Sequence, residues 1–298
     1  MPLNTLAFAT KFASELDKMI VQKSVTGFMA DNVLRAKFVG AKSVIIPDID
    51  FVGLADYDRD SGFSKGKMTV AHTTYTLSQD RARSLQIDRE DMDETGVANL
   101  AGQIMGEYIR TKVVPEMDAY TLSKLAQIAI DKSNTKDIDD ITKVYALFNE
   151  LANSIYAKAG YDSELVAFVD PVVYAAFMNS TELQRMITVS DFKQGEINLK
   201  VKSINGITLI PTAADRMKSE YTDDEENGGI KPTEGAKSVG MLIVPKKAAH
   251  LVKKSEKIRV FEPDTNQDAD AYKFDYRLYY DVFVKKSELQ HISAALHQ

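Results

Sequence analysis

The sequence predicts an α+β fold, and three patterns carry that prediction. Apolar residues recur at helical spacing from about residue 97 to 128. Two strand-like runs, 42–54 and 67–78, flank a polar, glycine-bearing tip at 56–66. From residue 140 onward, helical patterns alternate with short apolar runs.

The long helical pattern is set by Leu100, Ile104 and Tyr108, then Val114, Met117, Leu122, Leu125 and Ile128. Thr95 or the acids before it can cap its start. Pro115 lacks an N–H and crowds the preceding turn, so a kink or split is expected there. Unbroken, the helix spans about 50 Å at 1.5 Å per residue. The strand before the tip is expected to break at Pro47, and the tip holds too few apolar residues to be buried, so the hairpin projects. Residues 4–22 also show helical periodicity.

Downstream, Ile141, Val144, Phe148, Leu151 and Ile155 mark a helix over 140–158, with Gly160 as its stop. "LVAFV" (165–169) and "VGMLIV" (239–244) read as buried strands, and Asp170-Pro171 as a capped helix start. Asn205-Gly206 signals a hairpin. Residues 213–238 read as a surface loop. Pro245 is expected to open a short lysine-rich helix, with strands at 257–262 and 271–285.

Composition excludes several function classes. The 298 residues include no cysteine, which removes disulfides, thiolate metal sites and a cysteine nucleophile. A net charge of −6 lacks the basic footprint of a nucleic-acid binder. The N-terminus does not read as a signal peptide, and no run of about 18 apolar residues predicts a membrane span.

Each chemical motif has a plainer reading. "GFSKG" (62–66) matches G-x-S-x-G, which would make Ser64 a hydrolase nucleophile with His250 as base, but that chemistry needs a strand-to-helix turn. The same stretch is one residue short for a phosphate loop, and Met68 stands where Ser or Thr would hold magnesium. Asp56, Asp58 and Asp60 open like a calcium loop, yet Ser61 and Lys67 replace its glycine and final glutamate. His72, His250, His291 and His297 have no zinc-ligand spacing. Lysines 246, 247, 253 and 254 read as a solvated helix face. No catalytic residue, metal ligand or cofactor is therefore expected.

The densest charge lies at "SLQIDREDMDETG" (84–96), where six of the seven residues from Asp88 to Glu94 are charged. Intermixed arginines at a strand-to-helix junction fit a solvated or partner-facing surface better than a catalytic carboxylate pair, which needs environments that separate two pKa values.

These stretches, taken in order, resemble the extended loop of tailed-bacteriophage major capsid proteins of the Hong Kong 97-like fold. Tyr57-Asp58-Arg59, Asp80-Arg81 and the series Leu85 through Thr95 carry the resemblance. The kinked helix that follows, "FVDPVVYAAFMNS" (168–180) and "KIRVFEPDTN…AYKFDYRLYYDVFV" (257–284) extend it.

The resemblance implies an N-terminal arm at 1–30 and an extended β-hairpin loop at 47–86. It implies a peripheral domain with a long spine helix from 31–46, 87–139 and 255–298, and an axial α/β domain at 140–254. It implies a non-enzymatic shell subunit that self-assembles into pentamers and hexamers of an icosahedral head, built in the bacterial host cytoplasm and ending in the virion capsid. Double-stranded DNA would be enclosed without tight binding, and a separate scaffolding protein and a portal are expected partners. An encapsulin-type nanocompartment shell shares the fold and is the alternative. Lys65 and Lys67 are present for covalent crosslinking, but no matched acceptor is seen, so none is expected. Arg59, Arg81, Arg83, Asp88, Glu90 and Asp91 are the expected subunit-contact residues. Charge reversal of Arg81 and Arg83 is expected to spare the fold and weaken assembly.

Overall fold

The four-residue repeat after residue 100 folds as one unbroken helical rod in the computed structural model, which describes residues 24–33, 37–39, 42–57, 59–60, 62–63, 65–90, 101–180, 188–194 and 197–297. Helix α1 (Ala101–Tyr108) passes through a π-helical turn (Ile109–Val113) into α2 (Val114–Asp131). Pro115 therefore does not split the rod. The Val114 N–H donates to the Ile109 carbonyl, five residues back. The turn widens just before the residue that cannot donate, which relieves the proline ring's clash with the preceding turn. The described rod is about 45 Å long at 1.5 Å per residue.

One side of the rod packs on a three-stranded antiparallel sheet in the order β13 (Ala249–Phe261), β14 (Ala271–Val284), β4 (Gln79–Asp88). Phe274, Tyr276, Leu278 and Tyr280 of β14 are buried in the same core as Met105, Ile109, Met117 and Leu125. The alternate residues Asp275 and Arg277, with their cross-strand neighbours Arg259 and Lys257, occupy the outer face.

Burial pushes the Tyr280 phenol well above its ordinary value of 10.0. The unfolded chain thus ionises first, and stability is complete below that value and falls as pH rises past it. A denaturant midpoint that stays level up to pH 10.0 and then declines is the expected result. Tyr280→Phe should make the alkaline decline shallower.

The projecting unit is β2 (Ser43–Phe51) paired with β3 (Met68–Thr76), from Ser43↔Thr76 to Phe51↔Met68, with β1 (Lys37–Val39) on the outer side of β2. Pro47 does not break β2. Among the described residues the β1 pairing ends at Ile45, so from Ile46 on β2 pairs there with β3 alone, an edge position where a missing N–H is tolerated. Only Leu77 and Ser78 separate β3 from β4. Leu77 is buried with Val44, Val252, Tyr279 and Phe283 in a small core under the hairpin base.

A seven-stranded sheet faces the rod's other side. Its order is β5 (Thr135–Ile138), β15 (Ser293–His297), β12 (Val239–Pro245), β6 (Leu165–Val169), β9 (Ile207–Pro211), β8 (Ile197–Ile204), β7 (Thr188–Gln194). Val166, Phe168, Leu242 and Val244 join the rod's core. Ala167, Val169, Met241 and Ile243 face α3 (Val144–Ala159) and α4 (Pro171–Asn179) through Phe148, Ile155, Val173 and Phe177. Covered on both faces, β6 and β12 are apolar throughout rather than alternating. The predicted punctuation appears here. Asp170 accepts the Val173 N–H at 2.7 Å, and Asn205 and Gly206 both take positive φ in the β8–β9 turn.

Two further sequence expectations are corrected. No helix follows Pro245: residues 246–248 turn and β13 begins at Ala249. A bulge between Lys253 and Ser255 breaks the two-residue alternation that would have marked the strand. The loop at 213–238 is ordered by a short hairpin, β10 (Tyr221–Asp223) with β11 (Ile230–Pro232). β5 and β15 lie in the same sheet as β6. The periodic segment 4–22 and the helix start at Thr95–Val97 lie outside the described residues.

Candidate subunit-contact site

The hairpin presents an apolar tip. Val52, Leu54, Tyr57, Phe63 and Met68 are all exposed, Leu54 completely and Phe63 at 90%. The rings of Tyr57 and Phe63 meet edge to face at 5.2 Å across the tip. Large apolar side chains clustered in solvent on a projecting element mark a contact surface rather than a solvated loop. Arg59, two residues after Tyr57, is also exposed. Asp58 and Ser64 lie outside the described residues. The segment around Ser64 leads into the strand β3, not a helix, so the strand-to-helix turn of a hydrolase nucleophile is not built here. Among the described residues no group of His, Asp or Glu is placed to hold a metal ion, and no helix is long and apolar enough to cross a membrane.

A carboxylate fixes the hairpin at its base. Asp281 on β14 is buried and accepts from the Ser78 N–H and hydroxyl, both at 2.9 Å. It also accepts from Tyr120 Oη at 3.0 Å and Lys124 Nζ at 2.5 Å, both on α2. One side chain thus joins the hairpin–sheet junction, the sheet and the rod. Tyr75 on β3 adds a bond to the Val284 carbonyl at 3.3 Å.

The predicted charge cluster divides. All three side-chain nitrogens of Arg81 are engaged within its own chain. Nε bonds Glu116 Oε1 at 2.7 Å, Nη1 bonds Asp223 Oδ1 at 2.6 Å and Nη2 donates to the Gly229 carbonyl at 2.8 Å. It clamps β4 to the rod and to the β10–β11 hairpin. Burial pushes the Glu116 carboxyl up, and the Arg81 guanidinium opposes that rise. Reversal of Arg81 would set a third carboxylate between Glu116 and Asp223, so it acts on the fold as well as on assembly. Arg83 is exposed and lies over Gly228, where an added Cβ would come within 2.8 Å of its guanidinium. Asp88 is exposed and accepts the Glu90 N–H at 2.9 Å, and Glu90 is exposed. Asp91 lies outside the described residues. Arg89, not among the predicted contacts, reaches Asp264 at 3.4 Å.

A second buried carboxylate ties in the segment that follows residue 23. Asp118 on α2 has no exposed surface. It accepts from Ser24 Oγ at 2.5 Å, Thr26 Oγ1 at 2.7 Å, and the Val25 and Thr26 N–H groups at 3.2 Å. Arg216 Nη1 completes the set at 3.2 Å. Burial pushes this carboxyl up, against the donors around it. Sequence reasoning named neither Asp118 nor Asp281. The signal was an acid inside an apolar stripe (Met117-Asp118-Ala119) and inside an aromatic strand (Tyr279-Tyr280-Asp281-Val282).

Solved structures share this architecture. A chain of the bacteriophage PhiM1 mature capsid matches at TM-score 0.56 and 13% identity, over 87% of this chain and 82% of that one. A chain of Mycobacterium phage Ogopogo matches at TM-score 0.57 and 9% identity, over 93% and 92%. A virus-like particle chain from Pyrococcus furiosus matches at TM-score 0.52 and 11% identity, over 98% and 99%. No family model and no curated protein matches the sequence. The hairpin, rod and two sheets thus make up a capsid-type fold. More particularly, it is the fold of tailed-phage major capsid proteins.

Proposed function

We propose that this chain is a tailed-phage major capsid protein, whose copies close into the pentamers and hexamers of an icosahedral head around double-stranded DNA. The observation that carries this reading is the capsid fold, matched over more than four-fifths of this chain and of each compared chain. In this reading the hairpin is the extended loop and the rod the spine helix. The seven-stranded sheet with α3 and α4 forms the axial domain, and residues 1–30 form the N-terminal arm. The subunit works by contact and carries out no chemistry. It assembles in the bacterial cytoplasm with a separate scaffolding protein and a portal. Its −6 charge leaves the enclosed DNA without a tight protein partner.

Expression in bacteria, with and without scaffolding protein, followed by negative-stain microscopy tests the reading. Closed shells of uniform diameter are expected. They should dissociate in boiling denaturant to a single band near 33.1 kDa, since no crosslink forms. A chain that stays monomeric under every condition would overturn it.

A nanocompartment shell holding cargo protein is the second reading. It is favoured by the virus-like particle chain, which matches this one more completely than either phage chain does. Mass spectrometry of purified particles separates the two: DNA and a portal for the head, a cargo enzyme for the compartment.

A further inference from the structure

The three-stranded sheet carries opposite charge at its two edges. At one edge, β13 pairs only with β14 among the described residues, and its exposed Lys257 and Arg259 make no ion pair there. Their side chains share the outer face with Arg277, Asp275 and the short Ala82 and Ser84. With Arg83 and Tyr276 they line a trough of about 320 Å³ that reaches from β13 across to β4. Arg277 is bound to Asp80 at 2.6 Å, and Arg83 lies over Gly228 of its own chain, so Lys257 and Arg259 are the cations at the β13 side of the trough.

At the opposite edge lies β4, and beyond it the β10–β11 turn, held by Arg81 on the Gly229 carbonyl. That turn is rigidly built. The Gly228 N–H donates to the Asp224 carbonyl at 2.9 Å, and the Asp224 side chain accepts from Asn227 Nδ2 at 3.2 Å. Its outermost residues, Glu225 and Glu226, are exposed and make no ion pair among the described residues.

We infer that neighbouring copies pack edge to edge, with Glu225 and Glu226 of one seated against Lys257 and Arg259 of the next. The inference rests on the shell reading and names one contact within it. Two different patches on one chain make a head-to-tail contact, and such a contact propagates into a ring when its rotation closes. The exposed acidic turn and the largely basic trough match in sign. Exposed pairs of this kind set register and encounter more than affinity. Salt therefore weakens the contact.

Charge-swap variants test this. Lys257→Glu with Arg259→Glu, and separately Glu225→Lys with Glu226→Lys, should each lose most ring formation in light scattering and microscopy. All four side chains are exposed, so circular dichroism should be unchanged. The fourfold variant, with both patches reversed, should assemble again. An equimolar mixture of the two double variants should also assemble, but only into rings of even copy number, because each variant pairs only with the other. Hexamers without pentamers are the expected result. Double variants that both assemble like the wild type, or a mixture and a fourfold variant that both stay dispersed, would overturn the inference while leaving the shell reading intact. A wild-type chain that forms no rings overturns the shell reading, and this contact with it.

Discussion

Asp118→Ala is expected to lower the stability of the unassembled chain by about 3–5 kcal/mol, the range for removing one partner of a buried charge pair. The carboxylate has no exposed surface and collects five donors from two distant parts of the chain, residues 24–26 and Arg216. Without it, the Ser24 and Thr26 hydroxyls, two backbone N–H groups and Arg216 lose a charged acceptor together, leaving only the Ser24–Thr26 contacts at 3.2 Å. A buried donor left without a partner costs about 1–3 kcal/mol. Asp118→Asn should recover little, because its amide nitrogen offers two more donors to a cluster that already has too many. Denaturant melts measure the loss. Limited proteolysis should show residues 24–33 cut early in the variant, although Phe28 and Met29 still belong to the core. A variant within about 1 kcal/mol of the wild type would show that the network is replaceable by water.

Asp281→Ala should cost about 3 kcal/mol, the upper range for hydrogen bonds to a charged group. The larger effect is geometric. Ser78 meets Tyr120 and Lys124 through this carboxylate and the Ser78–Tyr120 hydroxyl contact at 2.9 Å, while Lys124 Nζ also lies over the Tyr120 ring at 5.7 Å from its centroid. With the node removed, the hairpin keeps its own strand pairing and the Leu77 core but loses its fixed angle to the rod. Hydrogen exchange should accelerate at the Ser78 N–H, whose acceptor is gone, while the β2–β3 ladder stays protected. Assembly, which needs every hairpin at the same angle, should fall further than stability does. Lys124→Met, which leaves the Ser78 bonds in place, should be much milder. Equal damage from both variants would mean that the ion pair, and not the junction, carries the effect.

Local signals in the sequence were accurate where the chain's neighbours in space are also its neighbours in sequence. The Asp170 cap, the Asn205-Gly206 turn and the rod all depend on contacts within a few residues, and the hairpin joins two strands that follow one another in the chain. The misses share the opposite property. β15 is a five-residue strand, Ser-Ala-Ala-Leu-His, too short and too small-sided to stand out from a tail. It is defined by β12 and β5, far away in the chain. The β13 pattern was scrambled by a bulge. Arg81 was visible as a charge, but its partners lie 35, 142 and 148 residues away, so nothing local distinguished an internal clamp from a surface fork. The exposed tip was read as polar because its acids outnumber its apolar residues, yet Leu54, Tyr57 and Phe63 point into solvent.

The π turn at Ile109–Val113 has a bearing on how the rod tolerates changes in length. Buried positions run 105, 109, then 113 and 114, then 117 and 118, so the core-facing stripe stays in phase across a turn that holds one residue more than an α-helix needs. That is the signature of a single-residue insertion absorbed locally. Removing one residue from this turn would leave both halves of the rod facing their present neighbours, provided Pro115 is also replaced by alanine so that a regular turn can close. Removing one residue from the middle of α2 would instead rotate everything before it by about 100°. Met105 and Ile109 would swing out of the core, and the same one-residue change would go from harmless to ruinous within three turns of helix.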